Sequence, residues 1–416
     1  LESSKLRKLK LEISVAQRNS NDSRALRLIL SNLSKLEDNA VLRERVAITL
    51  AQLGEKRSAL EILDIVGRHY TNMGRAMRAI SAAKQMRLLN PNTDALLDSI
   101  AAVYNIRSPF IDENVKVNLA EPLLIDLAGR EPSLPIRELM ALAAEHAKDL
   151  QGMAVGPQKV PPIPFLSLLP ENALLKVLGL LEYSVFDKKE SLLKRGDTQK
   201  ELIWTVNDRL IAKSREGNYS LPPSCLIGLN SFGDSSRGSE IDLVAPVGSE
   251  ILRLTANAIE ELQALFPDFE NRLSTLRRHS MTERLLRRHP IFGGLNDKMR
   301  VSVIETFTGM RVSEGESIIE QNHPSPGLFI VLDGEIDIVR ENASTTVVVS
   351  TLISGDVFGE VGLITNQPAH AGCVMAKTGH LLHLPRADFS ALVARYPSVA
   401  EYTANLAETR LNDFSS

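Results

Sequence analysis

The sequence predicts an α+β multidomain chain: an N-terminal α-helical array followed by two jelly-roll (β-roll) modules with flanking helices. Three observations carry this. Apolar residues recur at helical spacing through roughly the first 150 positions. A proline-rich break follows. Beyond the break, roughly 40 positions repeat without a gap at an offset of 126. The expected organisation is a helical domain over 1–153, a linker over 154–164, a first roll over 165–282 and a second over 283–416.

The helical section is read from faces. Within Ser23 to Leu36, Leu26, Leu28, Ile29, Leu33 and Leu36 form one side of a helix. Val41 to Leu53 repeats the pattern and stops at Gly54, a C-terminal cap. Gly67, Tyr70 and Gly74 then precede Ala79, Ala83 and Pro91. That spacing resembles a tetratricopeptide repeat, in which small residues let two helices approach and proline ends the second. Such arrays present surfaces to protein partners. A further helix is expected from Ile136 to Leu150.

Residues 156 to 164 carry four prolines, which neither a helix nor a central strand accommodates, so this segment is expected to be the extended main boundary. After it, Leu169-Pro170-Glu171 aligns with Leu295-Asn296-Asp297. At the same offset Trp204 to Asp208 aligns with Ile330 to Gly334. Short alternating runs bounded by Gly, Asp and Asn mark strands in both copies. Leu328 to Val339 reads as two strands around an Asp333-Gly334 hairpin turn. Asp268 to His289 reads as a connecting helix, a place where a dimer could form.

Composition narrows the functions. Net charge is −3, with 44% hydrophobic and 24% charged residues, which fits a folded chain and argues against a nucleic-acid surface driven by bulk charge. No apolar run approaches the ~18 residues of a bilayer span, and no secretory signal is visible. Two cysteines fit a reducing compartment. A cytoplasmic location is the expectation, with no membrane partner.

The most informative stretch is Gly355-Asp356-Val357-Phe358-Gly359-Glu360-Val361-Gly362-Leu363, followed by Pro368-Ala369-His370-Ala371. It resembles the phosphate-binding cassette of cyclic-nucleotide-binding domains, and the resemblance covers residues 283 to 412. It implies a tight glycine turn, a short helix whose N–H groups face an anion, and a carboxylate on the ribose hydroxyl. It also implies an arginine on the phosphate and a C-terminal lid helix, here within Ala387 to Leu411. The implied ligand-binding residues are Phe358, Gly359, Glu360, Val361, Ala369, His370 and Ala371. Ala369 stands where the family has that arginine, and Gly372 where it often has a small hydroxyl residue. Removing such a charge partner from a desolvated site costs on the order of 2–5 kcal/mol, or about 30- to several-thousand-fold in affinity. His370 is one position along, but strand alternation turns it the other way. In the first copy Leu226 to Asn230 occupies the cassette's place with no carboxylate after the glycine, and Arg237 falls in a polar loop. That roll is expected to be structural.

No catalytic constellation is visible. Gly233 to Ser236 lacks a strand–Ser–helix elbow. The eight histidines show no metal-ligand spacing, and no phosphate loop or dinucleotide fingerprint occurs. The expectation is therefore a non-enzyme without metal or cofactor. No helix-turn-helix follows the lid segment, so DNA is not an expected partner. Two functions remain open in the sequence. One is a signalling adaptor that docks a protein through the helical array and weakly senses a cyclic nucleotide such as cyclic AMP. The other is a scaffold whose two rolls have both lost ligand binding.

Overall fold

Aliphatic and small residues at i, i+3 and i+4 spacing shape the N-terminal helices. The computed structural model describes residues 21–31, 40–117, 132–150, 153–154, 156–197, 201–214, 217–229, 239, 241–273, 275–276, 289–292, 295–296, 299, 303, 306–342 and 345–415. The chain forms two compact units, 1–273 and 274–416. In the first, the helices are α1 (Asp22–Leu30), α2 (Ala40–Gln52), α3 (Lys56–Asn72), α4 (Ala76–Leu89), α5 (Ala95–Tyr104) and α6 (Ile136–Lys148). The helix expected to reach Leu36 ends at Leu30, and 32–39 lie outside the described residues. On α3, Ala59, Ile62, Leu63, Val66, Gly67 and Tyr70 are buried together. A β-carbon on Gly67 would sit 2.3 Å from Leu96 Cδ2 on α5, so the Leu96 side chain packs directly against the glycine.

The proline-rich segment is extended but not free. Val160 and Ile163 are buried. Val160 N–H donates to Phe110 O at 2.9 Å, and Asp112 N–H donates to Val160 O at 2.9 Å. Ala154 N–H donates to His69 Nδ1 at 3.0 Å. The segment thus lies within the first compact unit and does not separate the two.

The rest of that unit is α7 (Glu171–Leu180), the strands β1 (Glu182–Val185), β2 (Glu190–Leu193), β3 (Leu202–Thr205), β4 (Ile211–Ser214), β5 (Gly217–Ser220), β6 (Leu226–Ile227), β7 (Asp242–Ala245) and β8 (Glu250–Leu254), and α8 (Ala256–Leu265). The strands form two four-stranded antiparallel sheets, β1-β8-β3-β6 and β2-β7-β4-β5. Phe186, Ile203, Ala212, Leu243 and Ile251 fill the space between them.

A buried polar network runs from the helical array to this roll. Glu44 on α2 accepts from Gln85 Nε2 at 2.9 Å and from the Tyr70 hydroxyl at 3.4 Å. Arg78 on α4 lies 3.0 Å from Glu250 Oε2 and 3.9 Å from Glu44 Oε2. Glu250, on β8, also accepts from the Tyr183 hydroxyl at 2.9 Å and from Asn207 Nδ2 at 3.1 Å. Burial works to raise Glu250's pKa, but Arg78 and Arg45 hold it below the usual value. Burial and the Glu250 charge push Glu44 upward against Arg78.

The second unit repeats the strand order, with long continuous strands at β11 and β14: β9 (Thr308–Val312), β10 (Ser317–Ile319), β11 (Gly327–Asn342), β12 (Thr345–Leu352), β13 (Val357–Phe358) and β14 (Gly372–Pro385). β11 and β14 run through both layers. Their outer halves pair with β13 and β9, their inner halves with β12 and β10. Alternation sorts the side chains. Leu328, Ile330, Leu332, Leu382 and Leu384 face one cluster, packed with Phe389, Leu392 and Tyr396. Phe329, Val331, Cys373, Met375 and Leu381 face the roll's interior.

The Asp333-Gly334 hairpin is a correction. β11 is one continuous strand there, and Asp333 and Glu335 both pair across to β14. Gly334 is left-handed at φ 91°, and an added β-carbon would lie 2.6 Å from Met375 Cε. The Asp-Gly pair makes a corner in a paired strand instead of a turn. The connecting helix expected over Asp268 to His289 falls mostly outside the described residues.

Candidate functional site

Three segments make up the candidate site: the cassette from β13 into α9 (Glu360–Ile364), the entry to β14, and the helices α10 (Arg386–Arg395) and α11 (Pro397–Ser415). Phe358 is buried and stacks on Phe329 at 4.9 Å, and Phe329 stacks on His383 at 4.5 Å. These rings fix where the chain turns. Gly359 takes φ 87°, and a β-carbon there would lie 2.4 Å from Gly327 O, so only glycine turns the chain here. Gly228, after β6 in the first roll, is also left-handed at φ 102°. The residues that follow it, 230–238 with Arg237 among them, lie outside the described set.

Glu360 opens α9 and has no solvent exposure. Its Oε1 accepts from Arg410 Nη1 of α11 at 2.7 Å, while its Oε2 is buried without a partner among the described residues. Burial raises its pKa, and Arg410 pulls in the opposite direction. Cys373 on β14 is pushed up to about 12, by burial first and then by the Glu360 charge, with Arg410 opposing. The Glu360 carboxylate and the Arg410 guanidinium form an ion pair at 2.7 Å. Sequence reasoning found the carboxylate and missed Arg410, which sits 50 positions further on.

The other expected residues divide plainly. Val361 O caps the short helix by accepting from Thr365 N–H at 3.0 Å and from its hydroxyl at 2.7 Å. Ala369 is pinned by its backbone, donating to His323 O and accepting from Asn322 N–H, both at 2.8 Å. Its methyl packs on the roll's interior, and it offers no donor. Ala371 is buried in that interior, and His370 between them is exposed. Gly362 in the short helix and Gly372 at the entry to β14 have a steric side. A β-carbon on Gly362 would lie 3.2 Å from Gln367 O, and one on Gly372 would lie 3.1 Å from Val339 Cγ2. Neighbouring atoms already fill both spaces.

Arg386, also absent from the sequence reasoning, holds the cassette in place. Its Nε donates to Ser325 O, Nη1 to Asn366 Oδ1 and Nη2 to Gly362 O, each at 3.1 Å. Among the described residues no cluster of His, Cys, Asp or Glu could hold a metal ion, and no helix is long and apolar enough to cross a membrane.

Residues 310–396 match the family model described as "Cyclic nucleotide-binding domain". A cAMP-dependent protein kinase regulatory subunit of Yarrowia lipolytica is 27% identical over 214 residues, which are 50% of this chain and 53% of the relative. One of Dictyostelium discoideum is 27% identical over 122 residues, 28% of this chain and 37% of the relative. The chain therefore spans about half or less of the length of these curated relatives. Among solved structures, the regulatory domain of Toxoplasma gondii PKA with cAMP is 18% identical. That match covers 59% of this chain and 92% of the other, at a TM-score of 0.29. The family match lies within the second unit, and the two relatives named are regulatory subunits of cAMP-dependent protein kinases.

Proposed function

We propose that this chain is a non-enzymatic, cytoplasmic regulatory adaptor. Its C-terminal roll takes a cyclic-nucleotide-like ligand, and its tetratricopeptide-like helical array docks a protein partner. The observation that carries the ligand half is Glu360: a fully buried carboxylate, first in the cassette helix, with one oxygen lacking a partner. A buried acceptor of this kind is costly to leave unmet, and a ribose hydroxyl supplies the missing donor. Phe358, Gly359 and Val361 set the cassette's shape around it, while Ala371 belongs to the core beneath.

A second reading is favoured by Ala369, whose methyl sits in the interior where the family places a cation. In that reading both rolls are protein-docking folds without ligand. Thermal unfolding in the presence of cyclic AMP decides between them. A ligand at 100 times its Kd adds about 2.7 kcal/mol, so the sensor is expected to show a transition that rises with ligand concentration. An unmoved transition up to millimolar cyclic AMP leaves the scaffold.

A further inference from the structure

Two arginine side chains reach the cassette among the described residues, beside His289, whose Nε2 lies 2.9 Å from Gly355 O, and the two arginines differ in how far they are committed. Arg386 spends Nε, Nη1 and Nη2 on two carbonyls and an amide oxygen. Arg410 makes one bond, through Nη1 to Glu360. A guanidinium carries five N–H donors in a planar fork, so this single bond leaves most of Arg410's donors open. Its side chain is 23% exposed while that of Glu360 is 0% exposed. Solvent therefore reaches the guanidinium beside the buried carboxylate. His370, the nearest ionisable neighbour of Ala369 in sequence, faces solvent instead.

We propose that Arg410 is the anion-binding residue of this pocket. The C-terminal helix brings it to a cassette that Ala369 leaves without a cation, and a ligand's phosphate thereby ties α11 to α9. This rests on the ligand reading above and adds to it the source of the charge. One guanidinium then serves two anions: it holds Glu360 through Nη1 and offers its remaining fork to the phosphate, while Glu360 Oε2 takes the ribose hydroxyl. Charge-assisted contacts of this type are the strong ones. Because the cation is on the helix, removing it loosens the phosphate and the helix together.

Isothermal titration of the full chain with cyclic AMP and with adenosine separates the phosphate from the nucleoside. The wild-type chain is expected to prefer cyclic AMP. Arg410→Ala is expected to weaken cyclic AMP about 30-fold or more while changing adenosine far less, and Arg410→Lys to restore part of the loss. Adenosine binding reports that the variant pocket is still formed, since both ligands use Glu360. High salt is expected to weaken cyclic AMP binding less in Arg410→Ala than in wild type. A preference for cyclic AMP that survives in Arg410→Ala overturns the assignment, and so does a wild-type chain that binds adenosine as tightly as cyclic AMP. A folded wild-type chain that binds neither ligand overturns the ligand reading itself.

Discussion

Glu360 is a carboxylate taken out of water with one oxygen served, and both its cost and the role proposed for it follow from that. Its pKa is raised in the fold, so between the unfolded value and the raised one the folded chain holds more proton than the unfolded chain. This contribution to stability is largest at acid pH and declines as pH rises through the raised value. Glu360→Gln is expected to lose that slope, visible in denaturation midpoints measured across the acid range. The same variant is expected to weaken cyclic AMP by about 10- to 100-fold, as befits losing a hydrogen bond to a charged acceptor. Unchanged affinity would contradict the role given to this residue. Glu360 was legible in the sequence because the cassette is contiguous: glycine turn, carboxylate and short helix fall within a few residues. Arg410 was not, because helix packing alone decides which residue of α11 meets the cassette.

At the scale of elements, a buried polar network ties the helical array to the β-roll in the first unit. Arg78 bridges Glu44 on α2 and Glu250 on β8, with Tyr183, Asn207 and Gln85 completing the network. Removing one member of a buried charge network leaves the others uncompensated, typically at about 3–5 kcal/mol. Arg78→Ala is expected to destabilise the first unit by that order in chemical denaturation, and a change below about 1 kcal/mol would show the network to be dispensable. The strands of both rolls were legible because alternation is local, and the faces of β11 sort as that pattern requires. The Asp333-Gly334 corner was not legible. The same dipeptide suits a hairpin and a kink, and the choice belongs to β14, whose pairing on both sides holds β11 continuous.

At the scale of the molecule, the chain forms two compact units, and the helical array shares the first with a β-roll. The proline run suggested a division near 154–164, since prolines interrupt any regular element. What overrides it lies far apart in sequence: Val160 bonded to Phe110, and Arg78 paired with Glu250 172 positions away. Charge pairing over that distance has no local signature. The expected consequence is two unfolding transitions, with Arg78→Ala lowering only one and cyclic AMP raising only the other. A single transition moved by both would contradict independent units. The most direct measurement of the central claim is amide hydrogen exchange of the full chain with and without cyclic AMP. Slower exchange is expected over 357–371 and along α11, with residues 226–245 of the first roll unchanged. Protection centred on the first roll, or none anywhere at saturating ligand, would contradict the assignment of the pocket to Glu360 and its helix.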